Sequence, residues 1–284
     1  MTISVIGKKK QVKKSFEELL SDLTTSSSEK VRYNAARVLG EMGDSKAVEP
    51  LIDVLRNDKN GSVRLYAARA LGELGDSKAT EYLIESLRED RNVDVRVRAA
   101  RALGRLGGKI VVEPLVEALN DENPQVCITA TDALIEIGDV TTDALIASLN
   151  HEKVNVRCDA TRALGEIGNK KAVDHVIKML YDEWVNVRIY AVTSLGKLND
   201  VKAVPALIEV MKNEKENELV RAGAAAALGV LRDQRALLPL RELIMNAEEL
   251  GELEDTALKS FKKIMAANWQ SIPGASIQKK AATV

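Results

Sequence analysis

The chain has 284 residues, and its 41 basic and 42 acidic side chains nearly cancel. This balance argues against a surface tuned as a whole for nucleic acid or for an anionic membrane, and an aromatic content of 3% leaves little material for stacking bases or enclosing a large cofactor. Two cysteines are too few for a disulfide framework and fit a reducing compartment.

The N-terminus, residues 1–10, is predicted to be a flexible basic segment. A short apolar stretch there precedes Lys8, Lys9 and Lys10, which reverses the order found in a secretory signal. No apolar run in the sequence approaches the length of a membrane span. We therefore expect a soluble cytoplasmic protein that does not contact membranes.

From residue 11 onward the sequence is organised by one phrase that occurs seven times. Its first copy, Val31-Arg32-Tyr33-Asn34-Ala35-Ala36-Arg37-Val38-Leu39-Gly40, returns in more altered forms, and the opening valines lie 32, 32, 31, 30, 31 and 33 residues apart. These valines are Val31, Val63, Val95, Val126, Val156, Val187 and Val220. Fixed self-similarity of this length indicates a solenoid of stacked supersecondary units.

Each repeat is predicted to be a helical hairpin. In the second one, residues 46–55 carry apolar side chains at helical spacing, with Pro50 in the first turn, and residues 57–61 are turn formers. A second amphipathic helix follows from Val63 and ends at Gly75, after which Asp76 is placed to cap the next helix. One hairpin cannot bury both of its faces, so stability must come from stacking.

About eight such hairpins fill residues 11–268, and an all-α, right-handed superhelix is the predicted fold. The first helix is expected near residues 12–23, and the last hairpin pairs residues 237–245 with residues 253–265. The segment 269–284 contains Pro273-Gly274 and lacks periodicity, which predicts a disordered tail.

The phrase Val-Arg-x-x-Ala-Ala-x-Ala-Leu-Gly, followed by Gly-Asp-x-x-Ala-Val-x-Pro-Leu, resembles the HEAT-like repeats named after phycobilisome lyases. The resemblance covers about residues 12–268. It implies an α-solenoid, and since such repeats serve many unrelated tasks, it does not by itself imply one activity.

The resemblance also implies a ladder of charged residues that ties adjacent repeats together. An arginine recurs after the opening valine and an aspartate recurs after the second helix; anion binding by the arginine row is the functional alternative. The members are Arg32, Arg64, Arg96, Arg157, Arg188 and Arg221, with Asp44, Asp76, Asp139, Asp200 and Asp233. Cys127 stands at the arginine position of the fourth repeat, and Ile135 replaces its usual glycine. We therefore expect a weakened ladder there and a local irregularity near residues 123–145.

In solenoids of this type the second helices line the concave face, and their solvent positions vary from repeat to repeat. Tyrosine and arginine, which are common interface anchors, are concentrated there in the early repeats. The predicted protein-binding residues are Tyr33, Arg37, Tyr66, Arg69, Arg98, Arg101, Arg105, Arg162 and Tyr190.

Two interpretations of this basic row remain open. A groove of this kind suits an acidic peptide or a helix of a protein partner. Alternatively, Arg37 with Glu41 and Arg69 with Glu73 are ordinary surface pairs at i, i+4 spacing. No carboxylate follows Arg98, Arg101 or Arg105 at that spacing, as Glu41 follows Arg37, and this favours an interface.

A metal-dependent activity is disfavoured by the sequence. Deoxyhypusine hydroxylase, a di-iron enzyme with similar repeats, carries His-Glu pairs directly after the Val-Arg positions, and no such pair stands at those positions here. The one His-Glu dipeptide, His151-Glu152, falls in a turn. We expect no metal, no cofactor and no catalytic residue.

The sequence therefore predicts a monomeric, non-catalytic scaffold that binds a protein partner. A chromophore-handling or enzyme-maturation role of lyase type is the first alternative, because Cys127 and Cys158 lie in adjacent repeats, although a role as small core residues is the preferred explanation of both. Nucleic-acid binding through the arginine stripe is the second alternative, and the near-neutral charge argues against it.

Overall fold

The computed structural model describes residues 14–246 and 251–268, and α-helices account for most of them. Sixteen α-helices form eight antiparallel hairpins in this part of the chain, so the predicted all-α architecture of about eight stacked hairpins is confirmed. The segment 1–10, predicted to be flexible, and the segment 269–284, predicted to be disordered, lie outside the described residues. None of the helices in the described ranges combines the length and the apolar character of a membrane span.

The described residues divide into two compact blocks, one ending at Leu106 and the other beginning at Gly107. We call them the N-terminal block and the C-terminal block. The N-terminal block contains three hairpins, made by α1 (Phe16–Thr25), α2 (Glu29–Met42), α3 (Val48–Asn57), α4 (Gly61–Leu74), α5 (Thr80–Glu89) and α6 (Val93–Leu106).

The C-terminal block contains five hairpins, in which the even-numbered helix is again the second of each pair. Its helices are α7 (Val112–Glu117), α8 (Pro124–Ile137), α9 (Thr142–Ser148), α10 (Val154–Ile167), α11 (Val173–Met179), α12 (Val185–Leu198), α13 (Val204–Lys212), α14 (Glu218–Leu231), α15 (Leu237–Met245) and α16 (Glu252–Asn268).

Short-range signals set the ends of these helices. Ser15 forms a reciprocal capping box with Glu18, so α1 begins at Phe16 rather than near residue 12 as predicted. The Asn60 side chain accepts hydrogen bonds from the backbone N–H groups of Ser62 and Val63 and starts α4. Gly75, in the left-handed conformation with φ 69°, ends the same helix.

The apolar residues of the repeated phrase form the core of each hairpin. Val63, Ala67, Ala68 and Leu71 of α4 are fully buried, and the same positions of α6 are equally buried. They pack against the apolar stripe of the preceding first helix, such as Leu51 and Leu55 of α3. Buried apolar area of this kind is the main stabilising term for each stacked pair.

The glycine of the phrase has a packing role that sequence reasoning missed. A Cβ atom on Gly72 would lie 2.7 Å from the Cβ of Ala102 on α6, and one on Gly40 would lie 2.8 Å from the Cβ of Ala70 on α4. At these two interfaces the second helices of neighbouring hairpins therefore approach each other so closely that a methyl group does not fit.

The local irregularity predicted near residues 123–145 is present in the structure. Gly138 ends α8 with φ 80° and ψ −142°, whereas Gly43, Gly75 and Gly168 take the left-handed helical conformation at the ends of α2, α4 and α10. A 3-10 turn, Gly138–Thr141, begins directly at this glycine and leads into α9. The fourth hairpin thus joins the fifth through a shorter turn than its neighbours use.

Candidate functional site

The arginine that follows each opening valine lies against the turn of the next hairpin. The Arg32 guanidinium of α2 donates two hydrogen bonds to the Asp58 carboxylate, at 2.7 and 3.0 Å, and both side chains are more than nine-tenths buried. Arg64 of α4 binds Asp90 in the same way, at 2.7 Å for both contacts. These pairs link successive hairpins of the N-terminal block.

Burial opposes the ionisation of Asp58, but hydrogen bonds from Arg32 and from the Asn60 backbone N–H outweigh it, and the pKa of Asp58 is lowered. The Asp58 backbone carbonyl also accepts a hydrogen bond of 2.8 Å from Arg64. One turn residue therefore joins two successive arginines.

The acidic half of the ladder differs from the prediction. Asp44, Asp76, Asp200 and Asp233 each follow one hairpin and cap the 3-10 turn that leads into the next. Each accepts a hydrogen bond from the backbone N–H two residues later. Asp139 accepts a hydrogen bond from the Asn169 side chain instead. The predicted pairing of these five aspartates with the arginine row is wrong, because the arginines reach the turn between the two helices of the next hairpin and not the segment between hairpins. Asp139 still connects two hairpins, through Asn169.

The C-terminal block repeats the arrangement with variations. Arg157 forms a two-point pair with Asp182, at 2.8 and 3.1 Å, and Arg188 reaches Glu216 at 2.8 Å. Arg221 donates to the Met211 carbonyl. In the N-terminal block, Arg96 donates to the Asp90 carbonyl at 3.0 Å. The arginine row is thus mostly buried and engaged within the protein, which leaves little of it for an external anion.

Between the fourth and fifth hairpins, both the arginine and the aspartate of the charged pair are replaced. Cys127 occupies the arginine position, and its Sγ donates to the Asp121 carbonyl at 3.3 Å, which retains one of the hydrogen bonds that an arginine makes there. His151 occupies the turn position of the next hairpin, and its Nδ1 accepts the Lys153 backbone N–H at 3.0 Å, as the aspartates do elsewhere. The fourth and fifth hairpins are therefore not joined by an ion pair at these two positions.

On the exposed side of the second helices, the N-terminal block carries a tyrosine stack. The rings of Tyr33 on α2 and Tyr66 on α4 are stacked with centroids 5.2 Å apart and an interplanar angle of 20°. Both side chains are half-buried, so the stack presents a fixed aromatic surface next to solvent.

Arg37 and Arg69 are paired with carboxylates on their own helices. Arg37 contacts both oxygens of Glu41, at 2.7 and 2.9 Å, and Arg69 contacts Glu73 at 2.8 Å. These are the i, i+4 pairs that the sequence offered as the alternative interpretation. At their exposure each pair is worth only a few tenths of a kcal/mol, about 0.3–0.5, so neither arginine is fixed strongly.

Arg98, Arg101 and Arg105 lie on one face of α6, turned toward α4. Together with Arg69 and Glu73 they line a pocket of about 160 Å³ between the two helices, whose floor includes Gly72 and Ala102. None of the three forms an ion pair or a hydrogen bond with any described residue. Like charges at i, i+3 and i, i+4 spacing repel one another. The pocket carries four guanidinium groups against one carboxylate, Glu73, which is paired with Arg69.

The two remaining predicted contact residues belong to the C-terminal block. Arg162 of α10 contacts Asp132 of α8 at 3.3 Å, and Tyr190 of α12 is exposed. Tyr190 lines a cavity of about 590 Å³ at the N-terminal ends of α8, α10 and α12. The predicted binding row thus contains two local clusters with different chemistry.

The two cysteines also line this cavity, and both are more than nine-tenths buried. Burial, with a smaller contribution from the neighbouring Asp159, raises the pKa of the Cys158 thiol to about 11, and burial likewise raises the pKa of Cys127. At neutral pH both sulfurs are therefore protonated. A protonated thiol is a poor nucleophile, so this environment does not activate either cysteine for covalent capture of a chromophore.

In residues 14–246 and 251–268, no three or more His, Cys, Asp and Glu side chains are grouped closely enough to hold a metal ion. His151, the histidine of the His-Glu dipeptide, accepts a backbone hydrogen bond in the turn before α10.

Sequence reasoning missed the aspartates that hold the arginines. They were available as a signal, because Asp58, Asp90 and Asp182 each stand six residues before the arginine of their own repeat. Each also accepts the backbone N–H two residues later, which shapes the turn in front of the second helix.

A protein-family model described as HEAT repeats matches residues 16–104, 80–147, 112–186 and 176–262. No curated protein has significant sequence similarity to the chain. Many solved structures are similar to it, and those at low sequence identity establish the fold alone.

Importin beta, solved in an ammonium sulfate condition, is similar with a TM-score of 0.64 at 12% identity. The match covers 90% of this chain and 42% of that chain. The complex of CpcE and CpcF of phycocyanin lyase from Nostoc sp. PCC7120 gives a TM-score of 0.47 at 24% identity, covering 93% of this chain and 100% of that one. Human deoxyhypusine hydroxylase in complex with glycerol gives 0.41 at 20% identity, covering 88% and 96%.

Proposed function

Because this chain belongs to the HEAT-repeat family, we propose that it is a non-catalytic scaffold that binds an acidic peptide or helix of a protein partner. The proposed contact surface is the exposed second-helix face of the N-terminal block, from Tyr33 on α2 to Arg105 on α6. HEAT hairpins suit this role, since each one contributes a few variable surface side chains on a rigid stacked frame.

The arginine triplet of α6 is the observation that carries the proposal. Arg98, Arg101 and Arg105 face the same pocket, and the one carboxylate that lines it, Glu73, is paired with Arg69. Arg37 and Arg69 on the two preceding second helices each form an ion pair with the glutamate one turn later. A ligand that brings carboxylates would relieve the repulsion within the triplet and form charge-assisted hydrogen bonds with planar guanidinium groups.

The tyrosine stack supports a peptide rather than a free small anion. Tyr33 and Tyr66 lie on the two helices that precede α6 in the second-helix layer, and their stacked rings are partly exposed. Tyrosine and arginine are the residue types most often found at the energetic centre of protein interfaces. An acidic segment with an apolar side chain could use both surfaces at once.

Charge reversal at the triplet tests the proposal. We compare the wild-type protein with Arg98→Glu/Arg101→Glu, and with Lys46→Glu/Lys78→Glu as a control of equal charge change on exposed residues outside this face. A photo-crosslinking amino acid at Tyr66, in cells that express the protein, identifies the bound partner, and one at Glu49 on α3 serves as the matched position.

We expect crosslinks to an acidic segment from position 66 and not from position 49. Affinity for that segment should fall on the order of a hundredfold or more in the arginine double variant and stay unchanged in the lysine control. Equal binding by both double variants, or crosslinks to nucleic acid with a steep salt dependence, would refute the proposal.

A further inference from the structure

The C-terminal block contains a second cavity whose chemistry is opposite to that of the arginine triplet. It lies at the N-terminal ends of α8, α10 and α12 and has a volume of about 590 Å³, within the range of pockets that hold small ligands or single side chains. Its lining includes the carboxylates of Asp121, Glu122 and Asp159, and no basic side chain.

Asp159 is the polar group that this cavity leaves without a partner. It is half-buried on α10, and it makes no hydrogen bond or ion pair with the residues that the structure describes. The nearest candidate cation, Arg162 one turn further along, is engaged with Asp132 of α8. Partial burial raises the pKa of Asp159, and the nearby charge of Arg162 offsets only part of this effect. A hydrogen-bond donor from outside the chain would therefore be stabilised here.

The other walls suit the apolar stem of a cationic side chain. Ile128 and Ile189 supply aliphatic surface, and the exposed ring of Tyr190 offers an aromatic face to a cation. Cys158 is 8% exposed, and its sulfur makes no hydrogen bond with any residue of the described ranges. The thiols of Cys158 and Cys127 thus form a soft, weakly polar wall beside the carboxylate.

We propose that this cavity binds the cationic end of a lysine or arginine side chain from a protein partner, with Asp159 accepting its hydrogen bond. The Asp159 carboxylate disfavours an anionic group, and a neutral apolar group would leave this carboxylate without a hydrogen-bond donor. The long stem and charged head of these two side chains match a cavity that is aliphatic and aromatic on its walls and acidic at one point. This site is separate from the one assigned above, and either can fail without the other.

The test uses the full chain and four short peptides, acetyl-Leu-X-Leu-amide with X as lysine, arginine, norleucine or glutamate. Binding is measured by calorimetry up to millimolar peptide, and by the rate at which 4,4′-dithiodipyridine modifies the two cysteines at mildly alkaline pH. n-Butylamine and agmatine serve as free cations without a peptide backbone.

We expect the lysine and arginine peptides to bind and to slow cysteine modification, and the norleucine and glutamate peptides to bind at least tenfold more weakly. Asp159→Asn should reduce binding of the lysine peptide at least tenfold, and Tyr190→Leu severalfold. The control Glu136→Gln, which removes an exposed carboxylate outside the cavity, should leave binding of the lysine peptide unchanged.

The proposal is overturned if no peptide binds at millimolar concentration, if norleucine binds as well as lysine, or if Asp159→Asn binds as well as the wild type. Binding of the free amines as tightly as the lysine peptide would overturn the assignment to a protein side chain. Should Asp159→Asn lose its cooperative unfolding transition, Tyr190→Leu and the comparison among peptides still decide the outcome.

Discussion

Arg32 and Asp58, which are 26 residues apart in sequence, form a buried two-point ion pair across the interface between the first two hairpins. The Asp58 backbone carbonyl then binds Arg64, whose side chain reaches Asp90 in the next turn. Asp58 and Arg64 together thus connect three successive hairpins of the N-terminal block. This contact is local to each interface, yet it recurs along the stack.

Removal of one partner of this pair should destabilise the N-terminal block strongly. Asp58→Ala leaves the Arg32 guanidinium buried without a counter-charge, and we expect a loss of about 3–5 kcal/mol in the free energy of unfolding. Glu41→Ala, which removes an exposed partner of Arg37, should cost about 0.5 kcal/mol or less. Urea denaturation followed by circular dichroism measures both, and similar losses in the two variants would contradict the prediction.

The same pair predicts a loss of stability in acid. The pKa of Asp58 is lower in the folded protein than in the unfolded chain, where it is about 3.9. Between these two values the unfolded state binds more protons, so stability falls as the pH decreases from about 4 through the lowered pKa, and the contribution is fully present above about pH 5. In Asp58→Asn this component should disappear, which urea titrations at several pH values between 3 and 6 would detect. An unchanged pH profile in the variant would show that other carboxylates are responsible.

Gly72→Ala should destabilise the protein although alanine is the better helix former. Its Cβ would lie 2.7 Å from the Cβ and 2.9 Å from the Cα of Ala102, so α4 and α6 must move apart. We expect a loss of about 1–3 kcal/mol from overpacking, against a gain of about 0.5–1 kcal/mol in helix propensity.

The double variant Gly72→Ala/Ala102→Gly provides the matched control for this contact. It removes the Cβ contact and keeps the contact with the Cα of residue 102, so recovery should be partial. Thermal denaturation gives both values. A single variant as stable as the wild type would show that the two helices can separate at little cost.

The cysteines should react slowly with electrophiles at neutral pH. The pKa of Cys158 is about 11 because the thiol is desolvated, so the thiolate fraction at pH 7.5 is far below that of free cysteine. Iodoacetamide modification, followed by mass spectrometry, should be much slower than for the urea-unfolded chain and should accelerate up to about pH 11. Fast modification of the folded protein at pH 7.5 would contradict this, and would favour the lyase-type alternative.

The hairpins were predictable from sequence because their signals are local. The spacing of Val63, Ala67 and Leu71 and the break at Gly75 lie within a few turns of one another. The bounds of α15 agree with the prediction, and those of α3, α4 and α16 differ by one to three residues. The start of α1 shifts further, since the Ser15 cap competes with the apolar spacing that begins at residue 12.

The partners of the arginines were not predictable from periodicity alone. Asp44 and Asp58 both recur with the repeat, so spacing in sequence does not distinguish a capping aspartate from one that binds the next arginine. The choice depends on how far one hairpin is displaced against the next. The same holds for the cavity beside Asp159, whose walls come from three hairpins and carry no common motif.

The replacement of a charged rung by Cys127 and His151 has a consequence for cooperativity within the C-terminal block. In a stack where each hairpin contacts only its neighbours, the stability of each interface decides whether two adjacent hairpins unfold together. The interface between the hairpins α7–α8 and α9–α10 lacks the buried ion pair that Arg157 and Asp182 supply one step further on. Opening of this block is therefore expected to start or stop at that interface, so that the first hairpin exchanges its backbone protons independently of the four that follow.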